Sequence, residues 1–516
     1  MKKYTIIAGL SLLSLQLGAQ NMYDALRYSS DYYTGSARTL ALGNAVTATG
    51  GDVATIAVNP AGGAVSGFSQ VTVTPGLNIS SCTAQGTQLP GSASSLPYCY
   101  DSRLRTNRSS FALPNLGVNL NFNTGRKSGV KSWNFGVLIN NRNYYQDRTY
   151  ASGNHDGTSL AGYLASQASG TDSTAFNASN AFETLPADKA NLVLAWKSGM
   201  ISTIGSASDV YAGATEKYIE DGSGNREIFI PGTLKHVFGR EISVAKDDYL
   251  FNFGMNISDL VYLGFNLGTT QLSYSYDEYQ RETPVNESLF DLDFGTAGVT
   301  NFKSLKYNNW YTTKGLGFLM KFGVIVTPGP FRIGLAVQTP TWFNMTDSWG
   351  ASARTEFSNS AFNGSASAPE GSFKYSFTTP WKGSLGVAAT LGGMAVISAD
   401  YEFNSNRNMR FSDGTLDNAS FSLVNQDIRN CLGSNHQLRV GAEVKPLDFL
   451  AVRAGYNYNA ELSGTKAISG DEYVDAARIR TDSHSASVGL GFSSKGSFFA
   501  DLAFRALVCP KEYVYP

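Results

Sequence analysis

The chain is poor in charge and, past its start, has no long hydrophobic run. Asp, Glu, Lys and Arg make up 16% of the 516 residues, against roughly 25% in soluble domains. Forty basic and 41 acidic residues leave a net charge of −1, so nucleic acid is not an expected partner. After Leu17 no stretch reaches the roughly 18 consecutive apolar residues of a membrane helix. Cysteine and histidine occur four times each. No two His stand at metal-ligand spacing and no C-x-x-C occurs, so neither a metal site nor another cofactor is expected. No Walker-type Gly-Lys-Ser/Thr and no G-x-S-x-G elbow is present; Ser483-His484-Ser485 places Ser beside His without one. The chain therefore reads as a non-enzyme without nucleotide chemistry.

The start is an export signal. Met1-Lys2-Lys3 is basic, Tyr4 to Leu17 is apolar but too short to span a bilayer, and Gly18-Ala19-Gln20 offers a cleavage site, giving a signal peptide over residues 1–19. Residues 20–68 are rich in small side chains and end on Asn59-Pro60-Ala61-Gly62. Asp52 is placed to cap a short helix over Val53–Val58, and Pro60 ends it, because the residue before a proline is held out of helical geometry.

From residue 69 onward the dominant pattern has period two. Trp133, Phe135, Val137 and Ile139 share one face against Asn134, Gly136 and Asn140. Leu438, Val440, Ala442 and Val444 oppose Arg439, Gly441 and Glu443. Such strands fit a sandwich, greasy face inward, or a membrane barrel, greasy face to lipid. Connection lengths separate the two. "NTGRKSG", "SD", "TPGP", "GGM", "KPLD" and "SSKG" alternate with long loops, notably 141–249, so every long loop leaves from one end. That is the pattern of an outer-membrane barrel with tight periplasmic turns. Tyr144, Tyr145, Trp310, Tyr311, Trp342, Phe343 and Trp381 are candidates for interface girdles. The expected fold is all-β, a transmembrane antiparallel barrel over 69–516. A soluble sandwich adhesin is a distant alternative. About thirteen strands are visible, whereas single-chain bacterial barrels have even numbers. About fourteen are therefore expected. Either one lies unseen between Asn140 and Leu250 or the closing strand is missing, and a truncated form is favoured.

The chain resembles the FadL/TodX family of outer-membrane transporters for hydrophobic compounds, in its Bacteroidetes-type branch. The carriers are "SARTLALGNAVTATGGDVATIAVNPAGG", with Asn59, Pro60 and Ala61 as hatch motif, and the barrel segments Arg332–Trp349, Ser376–Ala388, Ile397–Phe403 and Arg439–Tyr458. The resemblance implies that residues 20–68 pack in the lumen as a small helical hatch, and that long-chain fatty acids or other small hydrophobic ligands pass passively through this plugged barrel in a Gram-negative outer membrane. Outer-membrane lipid and lipopolysaccharide would surround it. A second implied role is that of a secretion or assembly adaptor holding a protein partner at its external loops.

Arg439 and Arg453 fall on the lumen face, suited to a substrate carboxylate, but Glu443, Asp400 and Glu402 share that face. A wall-bracing salt-bridge network is the competing reading. Arg38 and Asp52 read as braces of the hatch. The four His read as solvent-facing rim residues. All four Cys fall on the external side. A Cys82–Cys99 disulfide is expected, and a Cys431–Cys509 pair is geometrically open. "SLAGYLASQASG" and "NASNAFETLPADKANLVLAWKSG" suggest short amphipathic helices, forming a hydrophobic capture surface or a docking face.

Overall fold

The computed structural model describes residues 20–86, 100–220, 226–293, 298–415, 418–463, 466–469, 472–475, 482–494 and 497–508. The signal peptide expected over 1–19, and Cys99 and Cys509 with the two disulfides that would use them, lie outside the described residues.

Eighteen strand segments join one antiparallel sheet. Three wall strands are each broken into two segments, and Asp291–Asp293 and Gly364–Ser367 are short external additions, leaving thirteen wall strands. They are β1 (Gln70–Ala84), β2 (Leu104–Asn123), β3 (Val130–His155), β4 (Leu234–Ile257), β5 (Val261–Pro284) and β6 (Val299–Val326). Next come β7 (Phe331–Gln338 with Trp342–Phe357), β8 (Gly371–Thr378 with Lys382–Leu391) and β9 (Ala395–Ser405 with Arg410–Ser412). The wall ends with β10 (Leu432–Leu447), β11 (Leu450–Ser463), β12 (Ser483–Ser493) and β13 (Phe499–Val508). Each pairs with the next, so the alternating pattern located all thirteen. Between β3 and β4 the described residues hold helices and two short ribbons, Ile201–Thr203 with Tyr211–Gly213 and Lys217–Glu220 with Arg226–Phe229, but no further wall strand. Among the described residues no ladder joins β1 to β13.

The greasy face is the outer one. Phe135, Val137, Phe251, Phe253, Phe322, Leu335, Val387, Val440 and Leu490 are each more than a third exposed, while Arg439 and Asp400 on the opposite face are buried. A continuous apolar belt around a sheet whose charges point inward is the arrangement of a strand-built membrane wall, not of a soluble sandwich. No described helix is long and apolar enough to cross a membrane, which says nothing of strands.

Above the belt the wall continues into water. β3 runs to His155 and β4 begins at Leu234, so the loop expected over 141–249 is shorter, covering 156–233. Once outward residues are polar, the belt no longer marks where pairing stops. Helices α4 (Leu160–Ala168), α5 (Ser173–Asn177), α6 (Ala181–Thr184) and α7 (Ala190–Lys197) fill that loop. Their apolar faces (Leu164, Phe176, Val193, Leu194) are buried against wall residues Leu234, Phe302 and Leu305. The helices expected from the sequence exist, but those faces are not an open capture surface.

Three neighbouring strands break at one level. Residues 339–341 of β7 face 379–381 of β8, because Gln338 pairs with Lys382 and Trp342 with Thr378. The 3-10 turn Asn406–Asn408 interrupts β9 alongside. Pro340 and Pro380 explain two of the gaps, since proline has no N–H for the ladder.

Candidate functional site: the hatch and the lumen it fills

The lumen segment carries α1 (Met22–Ser29), α2 (Ala37–Ala41), a 3-10 turn (Val53–Ala57) and α3 (Gly62–Val65). Local chemistry sets these elements. Asn21 accepts from the N–H groups of Tyr23 and Asp24 while Asp24 accepts from Asn21 N, a reciprocal cap on α1. Asp52 accepts from Ala54 N at 2.7 Å and from Ser36 Oγ at 3.1 Å, capping the 3-10 turn and tying it to α2. Burial pushes the Asp52 carboxyl up, against the Arg38 charge and the Ala54 N–H.

At the level of the belt, hatch backbone presses directly on the wall. Asn59 donates to Thr47 O at 2.7 Å and accepts from Ala61 N at 3.0 Å, so the Asn-Pro-Ala motif folds the hatch chain on itself. Wall asparagines satisfy hatch carbonyls: Asn252 donates to Pro60 O (3.0 Å), Asn119 to Gly63 O (3.0 Å) and Asn266 to Ile56 O (2.8 Å). Lys321 donates to Ala57 O at 2.5 Å. Opposite the hatch the wall shows glycine. A Cβ on Gly323 would collide with Asn59 Oδ1, one on Gly264 with the Pro60 carbonyl, and one on Gly334 with Thr47 O. Small residues in the hatch and glycine in the wall are two sides of one contact.

Charges brace this contact in two groups. Arg453 donates to Glu443 at 2.6 Å and Asp501 at 2.5 Å, and Arg38 of α2 reaches the same Glu443 at 3.1 Å. Arg439 lies 3.2 Å from Glu402 and 3.9 Å from Asp400, which also accepts from Thr47 N at 2.8 Å. Tyr33 links hatch to wall by donating to Glu402 at 3.2 Å beneath the Arg439 guanidinium. Arg439 keeps Nε and Nη1 without a hydrogen-bond partner. All five charges named from the sequence are thus lumenal, in separate clusters joined only through the hatch.

A third group was missed. Asp31 accepts from Lys246 at 2.8 Å, pairs with Arg142 at 2.9 Å and bonds Lys382, three cations from three wall strands. Burial raises the Asp31 carboxyl, yet Arg142, Lys246 and Lys382 outweigh it and hold the group well below the usual carboxylate range. Arg142 also meets Asp248 at 3.4 Å and Gln338 at 3.1 Å. It points inward because of an irregularity between Asn141 and Asn143, a bulge that period-two reading cannot see.

Just outside the Asp31 group the lumen becomes apolar. Phe343, Met345, Tyr375, Phe377, Phe411 and Phe421 line a chamber, and Ala25 and Tyr28 of α1 sit inside it. The Tyr28 ring meets Phe377 edge-on at 5.8 Å and its hydroxyl lies 2.9 Å from Thr313 Oγ1. Phe343 and Tyr311 were expected in an interface girdle. Phe343 turns into the chamber and Tyr311 bonds the inward Asp347. Trp342 and Trp381 do face outward. Adjacent residues on a strand point to opposite faces, so an outward Trp342 forces Phe343 in.

The histidines divide. His436 and His484 lie on the outer face, their Nδ1 atoms 2.7 Å from Tyr401 and 2.6 Å from Tyr456 hydroxyls. His236 is not a solvent-facing rim residue: it is buried, 3.3 Å from Glu282. Cys82 Sγ lies 3.6 Å from Thr149 Oγ1. Among the described residues no cluster of three metal-ligating groups occurs.

The chain matches no protein-family model and no curated protein. Among solved structures it is similar to a Pseudomonas aeruginosa FadL homologue, at 11% identity over 93% of this chain and 92% of that one, with a TM-score of 0.44. It is similar also to CymD, a monoaromatic hydrocarbon channel, at 8% identity over 92% and 93%, with a TM-score of 0.44. A third is the Pseudomonas putida toluene transporter TodX, at 10% identity over 92% and 97%, with a TM-score of 0.36. Two of these carry the family names that the hatch motif suggested. At such scores the wall, the belt and the hatch contacts, rather than the likeness, carry the reading of this chain.

Proposed function

We propose that this protein is an outer-membrane barrel for passive passage of small hydrophobic compounds, long-chain fatty acids among them. The observation behind the reading is the aromatic chamber in the lumen, immediately external to the hatch and occupied by α1. A pore for polar solutes has no use for such a lining. A hydrophobic ligand gains roughly 0.8 kcal/mol per buried CH₂ there. It would enter by displacing α1 and leave once the hatch shifts. A side exit is favoured at the in-register break beside Pro340 and Pro380, where the ladder is interrupted. For a fatty acid the carboxylate partner is Arg439, through Nε and Nη1. Arg439 itself pairs with Glu402, but it leaves two nitrogens without a hydrogen-bond partner, more than any other lumen cation named above.

The test is purification in detergent without added lipid, followed by extraction and mass spectrometry of bound small molecules. Hydrophobic compounds bound in stoichiometric amount, and lost on Phe377→Ala, are the expected result. A barrel that is reproducibly empty and instead retains a protein partner would replace transport with the adaptor role.

A further inference from the structure

We propose that Lys314, Lys374 and Arg410, on the outer surface of β6, β8 and β9, form a binding site for the phosphate groups of an outer-leaflet glycolipid. All three are exposed and outward, since their neighbours Thr313, Tyr375 and Phe411 are buried on the lumen face. Register places them together. Lys314 pairs with Thr346 and Thr346 with Lys374, so the two lysines flank one residue, about 10 Å apart across two strand spacings. Trp342 pairs with Thr378 and Thr378 with Arg410, putting Arg410 in the row of Trp342, four residues nearer the membrane.

The height fits a headgroup. On β7 the outward positions Phe331, Ile333, Leu335 and Val337 are apolar, and beyond the break at 339–341 the outward positions pass from Trp342 to the polar Asn344 and Thr346. Trp342 therefore marks the outer edge of the hydrocarbon. It stacks on Phe318 at 6.4 Å and 18°, while Leu316 and Trp381 beside it are more than half exposed. Acyl chains would lie on this apolar surface and phosphates would meet the cations above it. Lysine stems can reach down along the wall while the ammonium stays in the headgroup layer.

Several other cations on the external wall are already engaged. Arg108 and Arg148 share Glu241, Arg240 holds Glu278, Arg354 holds Glu356, and Lys306 lies 5.0 Å from the Tyr279 ring centroid. Among the described residues no carboxylate pairs with Lys314, Lys374 or Arg410. Asp277 on β5 and Glu370 before β8 lie four residues farther out than the lysine row. Asp413 accepts bonds from Thr415 and Ser420 in its own loop.

The site is independent of what the lumen carries. Its test titrates the detergent-purified protein with lipid A bearing two phosphates, with dephosphorylated lipid A, and with inorganic phosphate, read by native mass spectrometry. The two-phosphate lipid should bind at least tenfold tighter than the dephosphorylated one. Lys314→Gln, Lys374→Gln and Arg410→Gln should each weaken it about fivefold and the triple variant about a hundredfold, as expected for surface cations at an anionic headgroup layer. Lys306→Gln should change nothing. Lys374→Arg should retain binding, and the single variants decide the matter if the triple variant misfolds. Equal binding of the two lipids, or unaltered binding by the cation variants, would overturn the assignment. So would inorganic phosphate binding as tightly as the lipid.

Discussion

At the belt, residues of the hatch from Ser36 to Ser66 meet the wall through backbone carbonyls, asparagine amides and glycine contacts. One level outward, α1 meets the wall mostly through side chains, Ala25 and Tyr28 among aromatic rings, and only its last carbonyls, Tyr28 O and Ser29 O, accept from Lys246. Backbone-to-wall contacts have one geometry, since each carbonyl needs its own donor and each glycine its own gap. Ring contacts are non-directional and can be traded for another apolar body of similar size. The lower level is built to stay and the upper level to exchange. Asp31 sits between them, joining the chain that leaves α1 to three strands at once.

The largest expected effect is therefore at that joint. Asp31→Asn leaves Arg142, Lys246 and Lys382 crowded without their anion, and breaking a buried pair costs roughly 3–5 kcal/mol. Hatch and helix should both become protease-sensitive in detergent; a variant as resistant as the wild type would show that Asp31 joins nothing. Next in size, Gly323→Ala forces a methyl into Asn59 and should cost about 2 kcal/mol by overpacking. Its signature is a lower melting temperature with α1 still docked. Loss of α1 protection alone would reverse the assignment of the rigid level. Tyr28→Ala should undock α1 by about 2 kcal/mol while leaving the melting temperature nearly unchanged. Binding of a fluorescent fatty-acid probe should rise, and a fall would mean that Tyr28 is part of the ligand site.

The smallest effect is that of mild acid. A carboxyl whose folded value is depressed stabilises the fold above its unfolded value of about 3.9, and that stability is lost as pH falls through the folded value. Asp31 is depressed by its three cations. A spin label on α1 should therefore report an unchanged hatch from pH 7 to about 5, loosening only in stronger acid. Release near pH 6 would contradict the assignment of Asp31 as the joint.

Much of this was legible from the residues. Leu438 to Val444 and Trp133 to Ile139 announce their faces by alternation, and turns such as Gly392-Gly393 and Ser258-Asp259 announce the short end of the barrel. Both are local properties of a pleated strand. The glycines were visible as part of the polar face, but their purpose was not. Gly264 and Gly323 matter because Pro60 and Asn59 come against them, more than two hundred residues earlier in the chain. Asp31 and Arg142 carried no signal at all: one stands alone among Ser and Tyr, and the other is turned inward by a bulge. The buried face of α7 and the contact of His236 with Glu282 were hidden by where β3 and β4 stop, which polarity alone does not mark.

Reading the chain alone established thirteen wall strands, their inner and outer faces, the end carrying the long loops and the Asp52 cap. These depend on neighbours within a few residues, where sterics and periodicity act directly. Which charges meet, where aromatic rings gather and which cations stay unpaired at the outer rim depended on the curl of the wall and the depth of the hatch. Coulomb and packing energies act through space, and no spacing along the chain encodes the distance across a lumen.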